Sequence, residues 1–331
     1  PGQGLYEWKD ADGDSIEDLD EFIIAVFADK KQYIKVFTPT SEFVKTYNNQ
    51  FSEILQLSPA NVWSGKKGLR KFIALLSNQT AYRIDRKTSN ADVEKFLNPF
   101  LNQSKDVEIV TLNSSFRNTF FVNRFNSHFG FDYSYQQTKN KSLLVSGSEE
   151  RSNVFHTFKI RWNITRKWLL TNDASAGVKS SLSEFFNSRN YTINYLSTEP
   201  KLSFQPSTNF RATVNYEYSE KTSKTISLNE DSLKAIGQKL GAEIKYTKAE
   251  QGSLIAKFNF ILFSYQGDAN SQLAYEMLEG LQPGKNYTWN VSYQRNLANN
   301  IQLNLSYDGR KSNAANGRIV HIGNVMVRAF F

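Results

Sequence analysis

Through most of the chain, apolar residues recur at every second position. Ile301, Leu303, Leu305 and Tyr307 alternate with Gln302, Asn304, Ser306 and Asp308. Tyr287, Trp289, Val291 and Tyr293 oppose Thr288, Asn290, Ser292 and Gln294. Phe210, Ala212, Val214, Tyr216 and Tyr218 oppose Arg211, Thr213, Asn215 and Glu217, and Phe158, Ile160, Trp162 and Ile164 oppose Lys159, Arg161 and Asn163. A period of two puts each set on one face of a β-strand. The pattern predicts thirteen strands, at about 42–58, 70–86, 106–122, 125–136, 154–164, 167–175, 190–204, 208–218, 240–248, 252–264, 286–296, 300–308 and 318–331. Lys, Arg and Glu stand on the polar face of strand after strand. A dry core would charge several kcal/mol for each unpaired ion, whereas a water-filled lumen removes that cost.

The connections point the same way. Short turns near 297–300, 248–252, 205–208, 165–167 and 123–126 alternate with longer connections at 308–317, 266–285, 219–239, 172–190 and 136–153. Outer-membrane barrels keep short turns on the periplasmic side and long loops outside. The expected fold is therefore all-β: a transmembrane antiparallel up-and-down β-barrel over residues 42–331, preceded by an N-terminal segment, residues 1–41. Closure calls for an even count of about fourteen strands. Tyr33–Phe37 is the candidate for the extra strand; the alternative is one arc of a larger barrel. The Leu303, Trp289, Phe258 and Val214 register is expected to face lipid.

Composition sharpens this picture. A mean hydropathy of −0.51 looks soluble, but barrel strands hide their apolar half in the average. No run of eighteen apolar residues occurs, which excludes a transmembrane helix. Aromatic residues make up 14% of the chain, more than a core of this size needs and in keeping with interfacial girdles. There is no cysteine, which removes disulfides, thiolate metal sites and cysteine nucleophiles. The net charge of +8 is dispersed among acids and strands, so it fits an anionic membrane surface and no nucleic-acid partner is expected. Because the chain starts at Pro1, it is expected to be a processed chain or a fragment. Asn-x-Ser/Thr triplets such as those at Asn286, Asn290 and Asn304 follow from polar alternation and are not read as glycosylation sites. The segment "NSQLAYEMLEGLQPG" has Leu273, Met277, Leu278 and Leu281 at helical spacing and predicts a short helix over a loop, stopped at Gly280.

One stretch has a different character. In "DADGDSIEDLDE", Asp10, Asp12, Asp14, the Ile16 carbonyl, Asp18 and Glu21 fall at positions 1, 3, 5, 7, 9 and 12 of a calcium loop. Alternate oxygens in a tight coil can converge on one hard cation, with Glu21 closing the sphere through both oxygens. Ser15 stands where the turn glycine is expected, and Glu17 replaces the usual aliphatic residue. The flank "GQGLYEWK" does not read as a helix, so a structural Ca²⁺ staple is expected rather than a paired sensor, and a solvated acidic turn is the alternative.

The segments "GLYEWKDADGDSIEDLDEF" and "YEMLEGLQPGKNYTWNVSYQRNLANNIQLNLSYDGRKS…RAFF" resemble the C-terminal part of large outer-membrane barrel proteins of Bacteroidota. In those proteins the acidic segment usually carries Asn and Gly where this chain has Asp12 and Ser15. The resemblance implies a Gram-negative outer membrane, contact with its lipids and lipopolysaccharide, and assembly machinery that reads the terminal Phe331. It supplies no catalytic residues. The function expected is a non-enzymatic pore, transporter, or docking and assembly wall. Two alternatives stand beside it: a lipase- or protease-like barrel enzyme, and a secreted soluble β-protein binding glycans or nucleic acid. An enzyme needs a histidine beside a nucleophile or an acid. Of the three histidines, His156 and His321 fall on the lipid-facing register and His128 near a short turn, and none pairs with Ser and Asp in a recognisable spacing.

Overall fold

The computed structural model describes residues 4–11, 13–36, 45–63, 65–89, 98, 109–144, 147–186, 189–223, 233–248, 251–298, 301–312 and 317–329. A small hairpin opens the chain, β1 (Tyr6–Trp8) against β2 (Phe22–Ile24). The wall begins with β3 (Tyr47–Leu57), two short helices α1 (Ala60–Trp63) and α2 (Leu69–Ala74), and β4 (Leu76–Thr88). It continues through β5 (Ile109–Val122), β6 (Phe129–Leu144), β7 (Gly147–Asn163), β8 (Trp168–Ser183) and β9 (Tyr191–Phe204). Then come β10 (Phe210–Ser223), β11 (Leu233–Lys248) and β12 (Gly252–Gln266), helix α3 (Gln272–Met277), and β13 (Gly284–Ala298), β14 (Ile301–Ser312) and β15 (Ile319–Ala329).

Strands β3 to β15 form one 13-stranded sheet in which each pairs antiparallel with its sequence neighbour. This is an up-and-down barrel wall, and among the described residues β3 and β15 are its first and last strands. The thirteen alternating runs all supply wall strands, but the fourteenth expected for closure is not among the described residues, where residues 33–36 add no strand to the wall. Tyr33 forms a single bridge to Tyr6 in the N-terminal segment, because that edge of β1 offers it partners that the wall does not; Phe37 lies outside the described residues, as does Phe331.

The alternation decides which face is which. Val214 pairs with Ala242, Ala242 with Phe258, and Phe258 with Trp289, so these residues share a face, with Leu303 on the same register. Outward Phe158, Ile160, Val214, Leu240, Ile244 and Phe258 are all exposed. So extensive an apolar surface has no place in water and suits lipid. Near the short turns the outward face carries Trp162, and Trp168 tilted against Phe204 with ring centroids 4.7 Å apart, an interfacial aromatic girdle.

Several connections expected to be loops are strand. Thr138 pairs with Asn153 and the ladder runs on to Leu144 opposite Gly147; β8, β10 and β14 extend similarly to Ser183, Ser223 and Ser312. Their Ser- and Lys-rich sequences resemble loops, but each arm finds its backbone partners in the other. Conversely, residues 70–74, expected to begin a strand, belong to α2, and β4 starts at Leu76. Leu303 is outward but close to a short turn and opposite Arg295, so its depth is interfacial. Val291, between Ala256 and Tyr307, lies deeper. We predict that Val291→Arg lowers the yield of inserted protein, a cost of about 2–4 kcal/mol at the bilayer midplane, while inward-facing Ser292→Arg inserts normally. Equal yields in membrane fractions would contradict this register.

Candidate functional site

The inner face of the wall has two zones. Toward the short turns it is lined by ion pairs: Asp173 lies 3.4 Å from both Lys159 and Lys201, Lys201 lies 2.8 Å from Glu199, and Lys257 lies 2.9 Å from Glu243. Such half-exposed pairs are individually weak and mark a hydrated surface. Toward the loop end the same register turns apolar, with Ile193, Ala235, Ile261 and Phe263 buried against Ala274, Met277, Leu278 and Leu281. Helix α3 and the turn after it therefore fold into the wall and dock on its inner surface. The expected helix is present and ends where the sequence places it: Glu279 and Gly280 have φ of 58° and 73°, the left-handed ending that glycine favours. Ser271 accepts a hydrogen bond from the Ala274 amide at its start. At its end, buried Lys221 donates to the Met277 carbonyl at 2.9 Å and to Glu279 at 2.7 Å, and Lys179 pairs with Glu276.

Residues 4–36 lie across this helix and the neighbouring strand ends as a plug. Phe27 packs on the same apolar cluster. Arg310, an inward residue of β14, forms a bidentate pair with Asp29 at 2.5 and 2.6 Å and stacks 4.0 Å over the Phe27 ring. Arg189, between β8 and β9, donates to the carbonyls of Leu19, Asp20 and Phe22 and to Glu149. Lys9 donates to the carbonyls of Ala269 and Ser271, each at 3.2 Å, Gln272 to that of Asp20, and the Val26 amide to the Tyr275 hydroxyl at 2.9 Å. Burial pushes Glu7 up, against Lys30, the Tyr275 hydroxyl, Arg310 and Lys9, and it pushes Lys9 down, against Asp268 and Glu7. The plug thus carries two partly desolvated charges of opposite sign.

The proposed calcium ligands fall in this plug, in a loop that leaves β1 and returns at β2. Asp10 accepts the amides of Gly13 at 2.6 Å and Ser15 at 3.2 Å, and Asp14 accepts that of Ile16 at 2.7 Å. Gly13 and Ser15 take φ of 82° and 62°, so Ser15 adopts the conformation for which glycine was expected. The Ile16 carbonyl accepts the Asp18 amide, and the Asp18 carbonyl that of Glu21. Glu21 is buried, accepting Trp8 Nε1 at 2.6 Å and the Ala11 amide at 2.7 Å. Asp12 lies outside the described residues. Among the described residues no three acidic, histidine or cysteine side chains converge as they would around an ion: Glu21 staples the loop from within. Outward His156 and His321 each meet a tyrosine hydroxyl, of Tyr133 and Tyr307, at 2.7 Å. The His128 carbonyl accepts the Asn163 amide beside a short turn.

No family model matches the chain, and no curated protein matches it. Among solved structures it is similar to LpxR from Salmonella typhimurium, at 9% identity over 66% of this chain and 88% of that one, with a TM-score of 0.30. That score is too low to argue from, so the fold rests on strand order and register.

Arg189, Arg310 and Lys221, which carry the docking, read in the sequence as ordinary lumen or loop cations. Acid should release part of it. Burial alone would push Glu279 up, but Lys221, Lys239 and Lys179 outweigh it and hold the carboxyl below its ordinary 4.5. A depressed carboxylate contributes stability that is complete above its unfolded value and is lost as pH falls through the folded one. Protease resistance of residues 4–36 should therefore hold at neutral pH and decline below 4.5. In Glu279→Gln the neutral-pH resistance should be lower and the decline shallower; an unchanged acid profile would remove Glu279 from the anchor.

Proposed function

We propose that this chain is a non-enzymatic outer-membrane β-barrel protein of a Gram-negative bacterium that acts as a gated conduit, with residues 4–36 and helix α3 as the gate. The observation that carries this reading is the division of the inner face: a hydrated, ion-paired zone toward the short turns and a loop end covered by a plug. The plug is tied down by separable polar clamps at Arg189 and Arg310 rather than built into the sheet. Breaking a charge-assisted hydrogen bond costs about 1.5–3 kcal/mol, so a partner or substrate that competes for one clamp could release it. Purified intact protein in planar bilayers should conduct poorly, and the double variant Arg189→Ala/Arg310→Ala should raise conductance several-fold, in bursts. Channel currents equal to those of the unaltered protein, in a variant shown to be inserted, would leave the docking-wall reading in place of the conduit.

Calcium at residues 10–21 is a second proposal, supported by the carboxylate spacing and by the two positive φ values. The ion would have to compete with Trp8 and Ala11 for Glu21, which implies weak affinity, on the order of 10⁻⁴–10⁻³ M. Protease resistance of this loop should rise saturably with calcium in the unaltered protein and not in Glu21→Gln. The same resistance with calcium and with chelator in both proteins would reduce the loop to a hydrogen-bonded turn.

A further inference from the structure

The charges of the hydrated inner face do not balance. Asp173 and Glu199 are matched by Lys159 and Lys201, Glu217 by Lys239 at 3.7 Å, and Glu243 by Lys257 at 2.9 Å. Asp132 stands opposite Lys159, with Arg161 and Arg124 also beside it. Among the described acids of this zone, Asp308 has a neutral partner, the Asn290 side-chain amide at 2.7 Å. On the cationic side several residues do. Arg117 donates to Gln136 at 2.8 Å, and Arg211 binds Gln205 through Nε at 3.0 Å and Nη2 at 2.7 Å. Arg161 lies across Gly130, where a Cβ would come within 2.9 Å of its guanidinium, and donates to the Arg124 and Asn126 carbonyls at 3.2 and 3.1 Å. Neutral oxygens fix these guanidinium groups in place and leave their charge.

The excess is sharpest near the β9–β10 and β11–β12 turns. Arg211 in β10 and Lys245 in β11 are cross-strand partners, both inward and both exposed. Like charges directly opposite one another weaken strand pairing. Neighbours on adjacent strands lie within the Debye length of about 8 Å at physiological salt, so small ions screen them only in part. A dissolved anion beside this row relieves the repulsion, whereas a dissolved cation adds to it. Arg and Lys side chains lining a pore select anions by the same electrostatics.

We propose that the conduit prefers solutes of net negative charge, and that Arg211 and Lys245 are the specificity-determining pair at its short-turn end. This rests on the conduit reading. The pair is separate from the gate: Arg189 and Arg310 hold the plug at the loop end, so the gate can be opened without touching Arg211 or Lys245.

The zero-current potential of the Arg189→Ala/Arg310→Ala protein in planar bilayers, under a gradient of potassium chloride, reads the preference, with chloride as the probe anion. The expected result is a permeability several-fold higher for chloride than for potassium. The preference should decline as salt is raised to about 1 M, where the Debye length shrinks to about 3 Å. In the same background, Arg211→Gln/Lys245→Gln should remove most of the preference, while Arg211→Lys should keep it. Should the double change fail to insert, Lys245→Gln alone should lower the preference part-way. Currents without preference, a preference for potassium, or a chloride preference that survives the glutamine changes would overturn the proposal and leave the conduit in place. Inserted protein that carries no current in the opened variant would overturn the conduit reading and this inference with it.

Discussion

A backbone amide inside a bilayer has no water to bond, so every strand of this wall must find its hydrogen bonds on its neighbours. The meander meets that demand in the simplest way, each strand pairing with the one before and the one after. Once the ladder is set, side chains have two choices of face and nothing between. Val214, Ala242, Phe258 and Trp289 lie along one row of paired positions, and Asn215, Gly241, Asn259 and Thr288 along the next. A slip of one residue would exchange these rows, putting Lys257 and Glu243 into lipid. Backbone pairing and side-chain polarity therefore enforce the same register.

The inner face then has to serve two purposes. Where it stays wet, charges such as Asp173 and Lys201 pair across strands without leaving solvent. Where the strands rise toward the loop end, Ile193, Ala235, Ile261 and Phe263 turn it into a docking surface. Helix α3 is only six residues long, too short to be stable alone. It persists because its apolar side is buried on the wall and its last turn is closed by Lys221, whose charge lies where the helix dipole is negative.

The plug is held in a different manner from the wall. Its own pairing is a three-residue hairpin and one bridge, and most of its attachment comes from Arg189, Arg310, Lys9 and Tyr275 acting across long stretches of sequence. Guanidinium groups suit this task because one planar fork can bind a carboxylate through two parallel hydrogen bonds, as at Asp29, or several carbonyls at once, as at residues 19–22. Such an attachment is specific, yet it consists of a few discrete contacts. That combination separates a segment that can be released from strands that cannot.

The alternation of apolar and polar residues by itself determined the all-β fold class, the thirteen runs that became wall strands and the face each residue takes, and helical spacing determined the short helix that stops before Gly280, because each is written in spacing between near neighbours. Tertiary structure alone decided the rest. Residues such as Lys139 and Ser183 became strand rather than loop because each hairpin arm supplied the other with backbone partners. Glu21 accepts the Trp8 indole together with the Ala11 amide, because the β1–β2 hairpin brings Trp8 beside it. Arg189 and Arg310 took hold of residues 19–29 across more than 160 positions of chain, and no local pattern distinguishes them from the other cations of the lumen. Contacts of that kind depend on which surfaces the folded wall brings face to face, a property of the assembled sheet and not of any stretch of sequence within it.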